Sequence, residues 1–376
     1  MPTSAIVLAA GEGSRMRSER PKPLHLICGR PMVLHVIHAL GSLDIERTVV
    51  VVGHGAEQVT KKIQAEAPGW ANVTFVEQAV QRGTGDAAMV GLSGFRGHNH
   101  DPHDPHAHLA DLAELDDTST IIVLPGDTPL LRTDTLDELV ALHEAQNNAA
   151  TLLIATMDDP TGYGRVIRAR DGRVLRIVEE RDASVDERAV REVCTSIYAF
   201  RRDLLGPALR HVSPDNAQAE YYLTDVIGVL AGMGHVISTV EAPAAETQGV
   251  NDRWQLALAE RELRARTNRH WLLNGVTMLD PRQTFVDVTV SLGRDVTLYP
   301  GTILQGRTVV GDGCEIGPDT RLVDCVVGSG ATVEHTVGRD AEIGEESHVG
   351  PFAHLAPGST VAAAAATGPF YAGRGE

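Results

Sequence analysis

The chain has 376 residues, and at roughly 150 residues per domain its length indicates two or three domains. Hydrophobic residues make up 43% of it, which is enough for sizeable buried cores and excludes global disorder. The formal net charge of −17 argues against non-specific binding to nucleic acid or to anionic membranes. No apolar run reaches the roughly 18–20 residues of a membrane span. The first apolar stretch, Ala5–Ala10, is too short for a signal-peptide core, so the sequence predicts a cytoplasmic protein.

The first 250 residues alternate short apolar strands with helical stretches. Strands are predicted over Ala5–Ala10, Thr48–Val52, Val73–Val76 and Thr120–Leu124, and helices over Pro31–Leu40, Ala56–Ala65, Thr84–Leu92 and Thr133–Ala145. This alternation predicts a parallel sheet covered on both faces, which binds ligands at the carboxyl ends of its strands. Further strands are predicted over Gly164–Arg168, Val174–Glu180 and Thr195–Phe200, where they could form a lid over that edge.

The last third of the chain has a different texture. Residues 251–283 begin with a stretch that has no glycine or proline before Gly275, which predicts a long helical arm. From residue 286 the sequence changes to aliphatic–glycine steps, and from Leu292 an aliphatic side chain recurs every six residues, with phase slips at Val327 and Val337. This period predicts a parallel β-helix of about four coils over residues 284–361, the alternative being an ordinary glycine-rich β domain. Residues 362–376, with five consecutive alanines, are predicted to be a disordered end.

A glycine-rich motif directly follows the first predicted strand. It reads LAAGEGSRM from Leu8 and is followed by Pro21-Lys22. Gly11 and Gly13 would let the backbone approach a ligand closely, so that N–H groups face phosphate oxygens, and Arg15 and Lys22 add positive charge. The spacing fits neither a P-loop nor the three-glycine dinucleotide fingerprint. The alternative is a merely structural turn between strand and helix.

A second motif, Gln78-x-x-Gln81-x-Gly83-Thr84-Gly85, follows a strand and opens a helix. A glutamine amide donates and accepts hydrogen bonds at once, so it is suited to the edge of a nucleobase. The glycines again permit close approach of the backbone. The alternative interpretation is a solvated loop.

A third motif, Leu124-Pro125-Gly126-Asp127, stands at the carboxyl end of a predicted strand. An aspartate in this position suits Mg²⁺, which prefers one or two carboxylates together with phosphate oxygens. The alternative is an aspartate that caps a helix or closes a turn.

Together the three motifs resemble those of nucleotidyltransferases that act on sugar 1-phosphates. More closely, the chain resembles the bifunctional N-acetylglucosamine-1-phosphate uridylyltransferase / glucosamine-1-phosphate acetyltransferase family. The resemblance covers residues 4 to about 360 and continues through Gly162-Tyr163-Gly164-Arg165, Ile177-Val178-Glu179-Glu180, Asn216 to Tyr222, Leu223-Thr224-Asp225 and Gly249-Val250-Asn251-Asp252-Arg253.

The resemblance implies a Rossmann-like α/β nucleotidyltransferase domain over residues 1–250, the helical arm and a short left-handed parallel β-helix, usually assembled as a homotrimer. The implied reaction joins UTP and N-acetylglucosamine 1-phosphate, with Mg²⁺, to give UDP-N-acetylglucosamine and pyrophosphate. The implied nucleotide-binding residues are Leu8, Ala9, Ala10, Gly11, Gln78, Gly83, Thr84 and Gly126, and the catalytic residues that hold phosphates are Arg15 and Lys22. The implied metal ligands are Asp127 and Asn251, and the implied sugar-binding residues are Gly164, Glu179 and Cys194.

The sequence departs from the family at several positions. Cys194 stands where the family has an asparagine at the sugar site, and Ser196 follows where it has a glycine. A cysteine cannot reproduce the hydrogen bonds of an amide, so a different hexosamine or sugar 1-phosphate of secondary metabolism is an alternative substrate. Ala219 replaces a glycine, and Pro125 replaces a tyrosine or serine and removes a backbone donor. A non-catalytic relative that only binds nucleotide is a further alternative.

Two further expectations concern features outside the first domain's motifs. Residues 98–108 hold five histidines and have no counterpart in the family; they form a solvated loop or, alternatively, a Zn²⁺ or Ni²⁺ site. The acetyl transfer that the resemblance implies is expected to be absent. Its site belongs to later coils, whereas recognisable coils stop near Val361 and Ala356 stands where the family has an arginine. His354, the nearest histidine, is expected on the surface of a coil.

Overall fold

The structure, a computed structural model, describes residues 2–95 and 118–375. Within these residues the chain forms two compact units, one of residues 2–25 and 31–255 and the other of residues 26–30 and 256–375. The histidine-rich segment 98–108 lies outside the described residues. In the part of the chain that the structure describes, no helix combines the length and the apolar character that crossing a bilayer requires.

The first unit is built on one large mixed sheet. In chain order its strands are β1 (Thr3–Ala9), β4 (Ile45–Val52), β5 (Val73–Glu77), β6 (Thr120–Pro125), β7 (Ala150–Thr156), β8 (Gly164–Arg168), β9 (Val174–Val178), β10 (Glu192–Arg201) and β11 (Ile237–Glu241). Two short strands, β2 (Leu26–Ile27) and β3 (Arg30–Pro31), form a separate pair. The strand order is β11-β7-β10-β6-β1-β4-β5, and β8 and β9 extend from β10.

The sheet is parallel at its centre, as predicted, but Thr195–Phe200 is not part of a lid: it belongs to β10, which lies within the sheet between β6 and β7. β1 lies parallel between β4 and β6, and β5 and β11 are also parallel to their neighbours. β10 runs antiparallel to both β6 and β7. Strand–helix alternation stops after β7, because the chain enters β10 by way of the antiparallel β8–β9 pair instead of a crossover helix.

Helices cover both faces of this sheet. In chain order the helices of the first unit's described residues are α1 (Met32–Ala39), α2 (Ala56–Glu66), α3 (Thr84–Ser93), α4 (Thr133–Ala145), α5 (Val185–Arg188), α6 (Arg202–Leu209), α7 (Asp225–Gly232) and α8 (Ala244–Thr247). The long helix α9 (Arg253–Leu273) begins in the first unit, and most of it belongs to the second. The predicted elements are present with ends shifted by a few residues. Sequence reasoning missed β7, β11 and the short helices after β9.

The alternation of side chains along each central strand divides the interior of this unit into two cores. In β1, Val7 joins the core that α1, α2 and α4 cover, whereas Ile6 joins the core that α3, α6 and α7 cover. Both side chains are completely buried, as are their partners Val123 and Leu124 in β6. A sheet that is buried on both faces needs such continuous apolar strands, which is why the sequence signal for it is strong.

The second unit contains the β-helix, which is left-handed. Its strands are β12 (Thr277–Met278), β13 (Phe285–Val286), β14 (Ser291–Leu292), β15 (Thr297–Leu298), β16 (Ile303–Gln305), β17 (Val309–Val310), β18 (Glu315–Ile316), β19 (Arg321–Val323), β20 (Val326–Val327), β21 (Thr332–Val333), β22 (Val337–Arg339), β23 (Glu342–Ile343), β24 (His348–Val349), β25 (His354–Leu355), β26 (Thr360–Val361) and β27 (Ala372–Gly373). Every third strand pairs in parallel, so three sheets enclose one aliphatic core. β12–β26 complete five coils, because the first begins at Thr277, before the predicted start.

The phase slip near residue 337 arises because a glycine, and not an aliphatic residue, occupies the core position there. Leu322 in β19 pairs with Gly338 in β22, and Gly338 pairs with Leu355 in β25. Gly338 therefore occupies the core position, and Val337 points outward with 49% of its surface exposed. A Cβ at Gly338 would lie 3.0 Å from the Leu322 side chain, so the stack leaves little room for a larger residue.

The structure differs from the disordered end that the sequence predicts after Val361. β27 pairs with β25, matching Ala372 to His354, and the backbone N–H of Phe370 donates to the carbonyl of Pro351 at 3.0 Å. The open edge of the last coil presents unpaired backbone groups, and residues 362–375 satisfy some of them.

Candidate active site

One cleft of the first unit lies at the carboxyl ends of β1 and β6, between the β5–α3 loop and the start of α9. Its volume is about 600 Å³. All the site residues predicted from the sequence line it: Leu8, Ala9, Ala10, Gly11, Arg15, Lys22, Gln78, Gly83, Thr84, Gly126, Asp127, Gly164, Glu179, Cys194 and Asn251. The edge rule for open α/β sheets explains why motifs so far apart in sequence meet there.

The two glycines of the first motif do different things. Gly11 is exposed, and a Cβ built there meets no atom within 4 Å, so its backbone is open to a ligand. Gly13 has φ +67°, and a Cβ there would lie 2.5 Å from the Cβ of Lys22. Gly13 is thus required for the packing of the Lys22 segment, which differs from its predicted role, whereas ligand approach at Gly11 stays a prediction.

The ammonium group of Lys22 connects the first motif with the predicted metal ligands. It donates to Asp127 Oδ2 and, at 2.8 Å, to Asn251 Oδ1. The Lys22 and Asp127 side chains retain 13% and 25% of their accessible surface, so this ion pair is partly desolvated. These contacts join residues from three distant parts of the chain.

The same two oxygens fit a divalent cation. A carboxylate and an amide oxygen already converge on a positive charge, and both are the hard oxygen ligands that Mg²⁺ takes. Within the described ranges no group of three or more His, Cys, Asp or Glu side chains is arranged to hold a metal ion. A metal at Asp127 and Asn251 would therefore complete its coordination with substrate phosphate oxygens and water.

Backbone contacts fix the position of these two ligands. The N–H of Gly126 donates to the Leu8 carbonyl at 2.8 Å, which places Asp127 beside the first strand. The N–H of Val250 donates to the Asp127 carbonyl at 2.9 Å, and that of Asn251 donates to Gln255 Oε1 at 2.7 Å. The two segments that carry the ligands are therefore held to each other directly.

At the opposite wall, the second motif forms a braced loop. Gly83 has φ +111°, and a Cβ there would lie 2.5 Å from the Tyr221 carbonyl. The N–H of Gly85 donates to that carbonyl at 2.8 Å, and Gln81 Nε2 donates to the Ala10 carbonyl at 2.6 Å. The loop is thereby tied to the glycine-rich motif on one side and to the segment before α7 on the other.

The predicted sugar end contains a carboxylate in a sheltered position. Glu179 accepts a hydrogen bond from Thr224 Oγ1 at 2.9 Å, and burial raises the pKa of its carboxyl group. A Cβ at Gly164 would lie 2.8 Å from Ile177 Cγ2 and 3.5 Å from Glu179 Oε1. Gly164 therefore lets β8 pack closely against β9 beside this carboxylate.

Cys194 lies at the floor of the same end. It is 2% exposed, and its thiol donates to the hydroxyl of Tyr198 at 3.3 Å. Burial raises the pKa of Cys194 to about 12, so the thiol is neutral at physiological pH. Between Cys194 and Ile197 the pairing of β10 with β7 shifts, and Ser196 takes φ +62° there and faces the cleft.

Comparison with known proteins places this geometry in a family. The family model of the MobA-like NTP transferase domain matches residues 5–215. The bifunctional protein GlmU of Thermobifida fusca is 46% identical over 344 residues, which are 91% of this chain and 67% of that protein. GlmU of Streptomyces avermitilis is 45% identical over 371 residues, which are 98% of this chain and 73% of that protein.

The chain belongs to the GlmU family. It is accordingly a nucleotidyltransferase, and the cleft described above is its candidate active site. GlmU-type nucleotidyltransferases generally use a divalent metal, in agreement with the oxygen ligands that Asp127 and Asn251 offer.

Some residues of this GlmU-family cleft were missed by sequence reasoning although they belong to motifs that carry the resemblance. Thr224 holds Glu179, and Gln218 donates through Nε2 to the Tyr222 hydroxyl at 2.8 Å. Tyr163 also lines the cleft. Their only sequence signal was membership in these motifs, because the contacts that bring them to the cleft form only when the chain folds.

Proposed function

We propose that the chain transfers a uridylyl group from UTP to N-acetylglucosamine 1-phosphate, with Mg²⁺, giving UDP-N-acetylglucosamine and pyrophosphate. A phosphate oxygen of the sugar 1-phosphate forms a bond to the α-phosphorus of UTP. The bond from that phosphorus to the oxygen that bridges to the β-phosphorus breaks, and pyrophosphate leaves with the electron pair. Such a displacement needs positioning and charge neutralisation rather than a protein nucleophile.

The observation that carries this proposal is the joint arrangement of Lys22, Asp127 and Asn251 in the cleft. The ammonium group lies within hydrogen-bonding distance of both oxygen ligands, in a cleft that the open glycine loop and Glu179 also line. A cation, a metal-binding oxygen pair and exposed backbone amides are the groups that a triphosphate requires at one place.

Each part of the cleft has a role in the proposal. The backbone at Leu8, Ala9, Ala10 and Gly11 contacts the nucleotide, and Arg15 and Lys22 balance phosphate charge. Asp127 and Asn251 would hold Mg²⁺, which supplies positive charge to the phosphate oxygens when it is bound. Repulsion between Mg²⁺ and the ammonium group would then favour the substrate phosphates as partners of Lys22.

The residues at the predicted sugar end support an amino sugar as substrate less directly than the other end of the cleft supports a nucleotide. Glu179 offers a carboxylate to sugar hydroxyls. Gly164, beside it in the lining of the cleft, adds no side chain that would fill the space there. Cys194 gives its only proton to Tyr198, so it offers no amide-like donor and acceptor to an N-acetyl group. This observation favours, as a second candidate, the same reaction with a different sugar 1-phosphate.

One experiment tests both candidates and the non-catalytic alternative. Pyrophosphate release is measured with UTP, Mg²⁺ and a panel of sugar 1-phosphates: N-acetylglucosamine, glucosamine, N-acetylgalactosamine and glucose 1-phosphate. The highest kcat/KM with N-acetylglucosamine 1-phosphate supports the proposal. A different sugar at the top replaces it with the second candidate, and no release with any sugar contradicts catalysis.

Acetyl transfer and assembly complete the proposal. The 376-residue chain is proposed to form a trimer and to lack acetyltransferase activity. His354 is exposed on β25, and Ala356 follows it where the family resemblance implies an arginine. Acetyl-CoA, glucosamine 1-phosphate and a thiol reagent should give no CoA release above background, and a rate that follows the protein through purification contradicts this part. Light scattering on the eluting protein measures the assembly.

A further inference from the structure

Asp86 lies behind Gln78, the predicted nucleobase contact, and does not itself line the cleft. It is the third residue of α3, and its Oδ2 accepts a hydrogen bond of 2.7 Å from Gln78 Nε2. The same nitrogen donates to the Gly83 carbonyl at 3.3 Å. Gln78 is only 5% exposed and lines the cleft, so the direction of its amide decides what it presents there.

The partners of this amide fix its orientation. A primary amide carries two hydrogens on nitrogen and lone pairs on oxygen, and the two ends are almost equal in size. A carboxylate and a backbone carbonyl only accept hydrogen bonds. With Asp86 and Gly83 on one side, the nitrogen must face them, and the carbonyl oxygen of Gln78 is left for the cleft.

We infer that Asp86 is a positioning residue that determines base specificity by holding Gln78 as a hydrogen-bond acceptor toward the nucleobase. The inference rests on the proposed function and deepens it. An acceptor at this point pairs with a pyrimidine that presents a ring N–H, as uracil does at N3. Cytosine presents a bare ring nitrogen there, so two acceptors would face each other.

The neighbouring loop holds the Gln78 amide rigidly enough to discriminate between uracil and cytosine. The Gly83 carbonyl is held because its residue is braced against Tyr221, and the backbone N–H of Gln78 donates to the Val52 carbonyl at 2.8 Å. For cytosine to bind equally well, the Gln78 amide would have to turn and point its oxygen at the Asp86 carboxylate. That conformation loses a charge-assisted hydrogen bond and opposes two acceptors.

The test is the ratio of dissociation constants for UTP and CTP, measured by titration calorimetry on wild type, Asp86→Asn and Asp86→Ala. Asparagine keeps the shape but can donate as well as accept. Alanine removes the charged acceptor and leaves the Gln78 nitrogen with the longer contact of 3.3 Å to the Gly83 carbonyl. We expect wild type to prefer UTP by about tenfold or more and both variants to lose most of that preference, with CTP binding improved in Asp86→Asn.

Asp134→Asn is the matched control. Asp134 stands in the first turn of α4 as Asp86 stands in that of α3, so both substitutions remove a charge from a helix N-terminus. The control should keep the wild-type ratio. An unchanged ratio in both Asp86 variants overturns the inference, because a merely structural role would lower affinity for both nucleotides alike.

The binding ratio separates this inference from the proposed reaction. If wild type discriminates UTP from CTP and the Asp86 variants do not, the inference stands even when N-acetylglucosamine 1-phosphate is not a substrate. If wild type binds CTP as tightly as UTP, the inference is overturned, whatever sugar the enzyme uses.

Discussion

Gly13→Ala separates the structural role of the glycine-rich motif from its role toward ligands. At φ +67° an alanine adopts the left-handed conformation, which costs an L-residue roughly 1–2 kcal/mol. Its Cβ would also lie 2.5 Å from the Cβ of Lys22, so the Lys22 segment must move. Since Lys22 reaches Asp127 and Asn251, a shift of about 1 Å is expected to lower kcat about a hundredfold.

Thermal unfolding and pyrophosphate release measure the two effects in parallel. A loss of roughly 1–2 kcal/mol lowers the melting temperature by about 2–8 °C in a unit of this size. Gly11→Ala is the comparison, because its Cβ meets no atom within 4 Å. It should leave the melting temperature unchanged and raise KM for UTP. Wild-type kcat and melting temperature in Gly13→Ala would refute the role assigned to Gly13.

Four further outcomes are expected. Lys22→Ala should lower kcat by about 10²–10³-fold through lost charge stabilisation, and a variant that keeps a tenth of the activity contradicts this role. Asp127→Asn should raise the Mg²⁺ concentration needed for half-maximal rate; an unchanged Mg²⁺ titration argues against Asp127 as a ligand. Cys194→Asn should shift kcat/KM toward N-acetylglucosamine 1-phosphate by about tenfold relative to glucose 1-phosphate, whereas identical selectivity removes residue 194 from sugar recognition. Burial lowers the pKa of His143 to about 4, below its unfolded value of 6.5. The stabilisation is therefore complete above pH 6.5 and is lost as the pH falls toward 4, by up to about 3 kcal/mol, and urea unfolding at pH 7 and 4.5 should show a smaller drop in His143→Gln.

The sequence predicted the fold best where one local rule decides the outcome. Continuous apolar strands and six-residue steps report burial directly, so β1, β6 and most β-helix positions follow from pattern alone. The direction of β10 could not be predicted from pattern, because the sequence of a strand is the same whether it pairs parallel or antiparallel. The outward position of Val337 likewise depends on one shortened side of a coil.

Turn conformations in the β-helix also escaped prediction. Positive φ values occur at coil corners in Asp324, Asp340 and His335. These positions are not glycines, so the sequence does not mark the corners as left-handed turns. Aspartate and similar short polar residues tolerate the left-handed region, but they are also common in ordinary loops. Their repetition at the corners becomes visible only when the coils are stacked.

That the predicted site residues lie along one cleft could be inferred from the sequence, but their contacts could not. Motifs at strand ends meet because the sheet brings its carboxyl edges together, which is a rule of topology. The bond from Lys22 to Asp127 joins residues 105 positions apart, and the one to Asn251 joins residues 229 apart. No local pattern encodes such a pair, and the same holds for the contact of Asp86 with Gln78, where only geometry shows which end of the amide faces the cleft.

Burial also changes the meaning of the substitution at residue 194. As a sequence difference, cysteine for asparagine removes the amide that the family resemblance implies at the sugar site. In the fold, the neutral Cys194 thiol donates to Tyr198 and the residue is 2% exposed, so it presents little surface to the cleft and its one proton is already used. Among the other hydrogen-bonding groups that line the cleft are Glu179 and Ser196. Selection of the sugar should therefore depend on its hydroxyl pattern more than on its N-acyl group. Glu179→Gln should weaken the binding of every sugar 1-phosphate, whereas Cys194→Asn should change the order of preference among them.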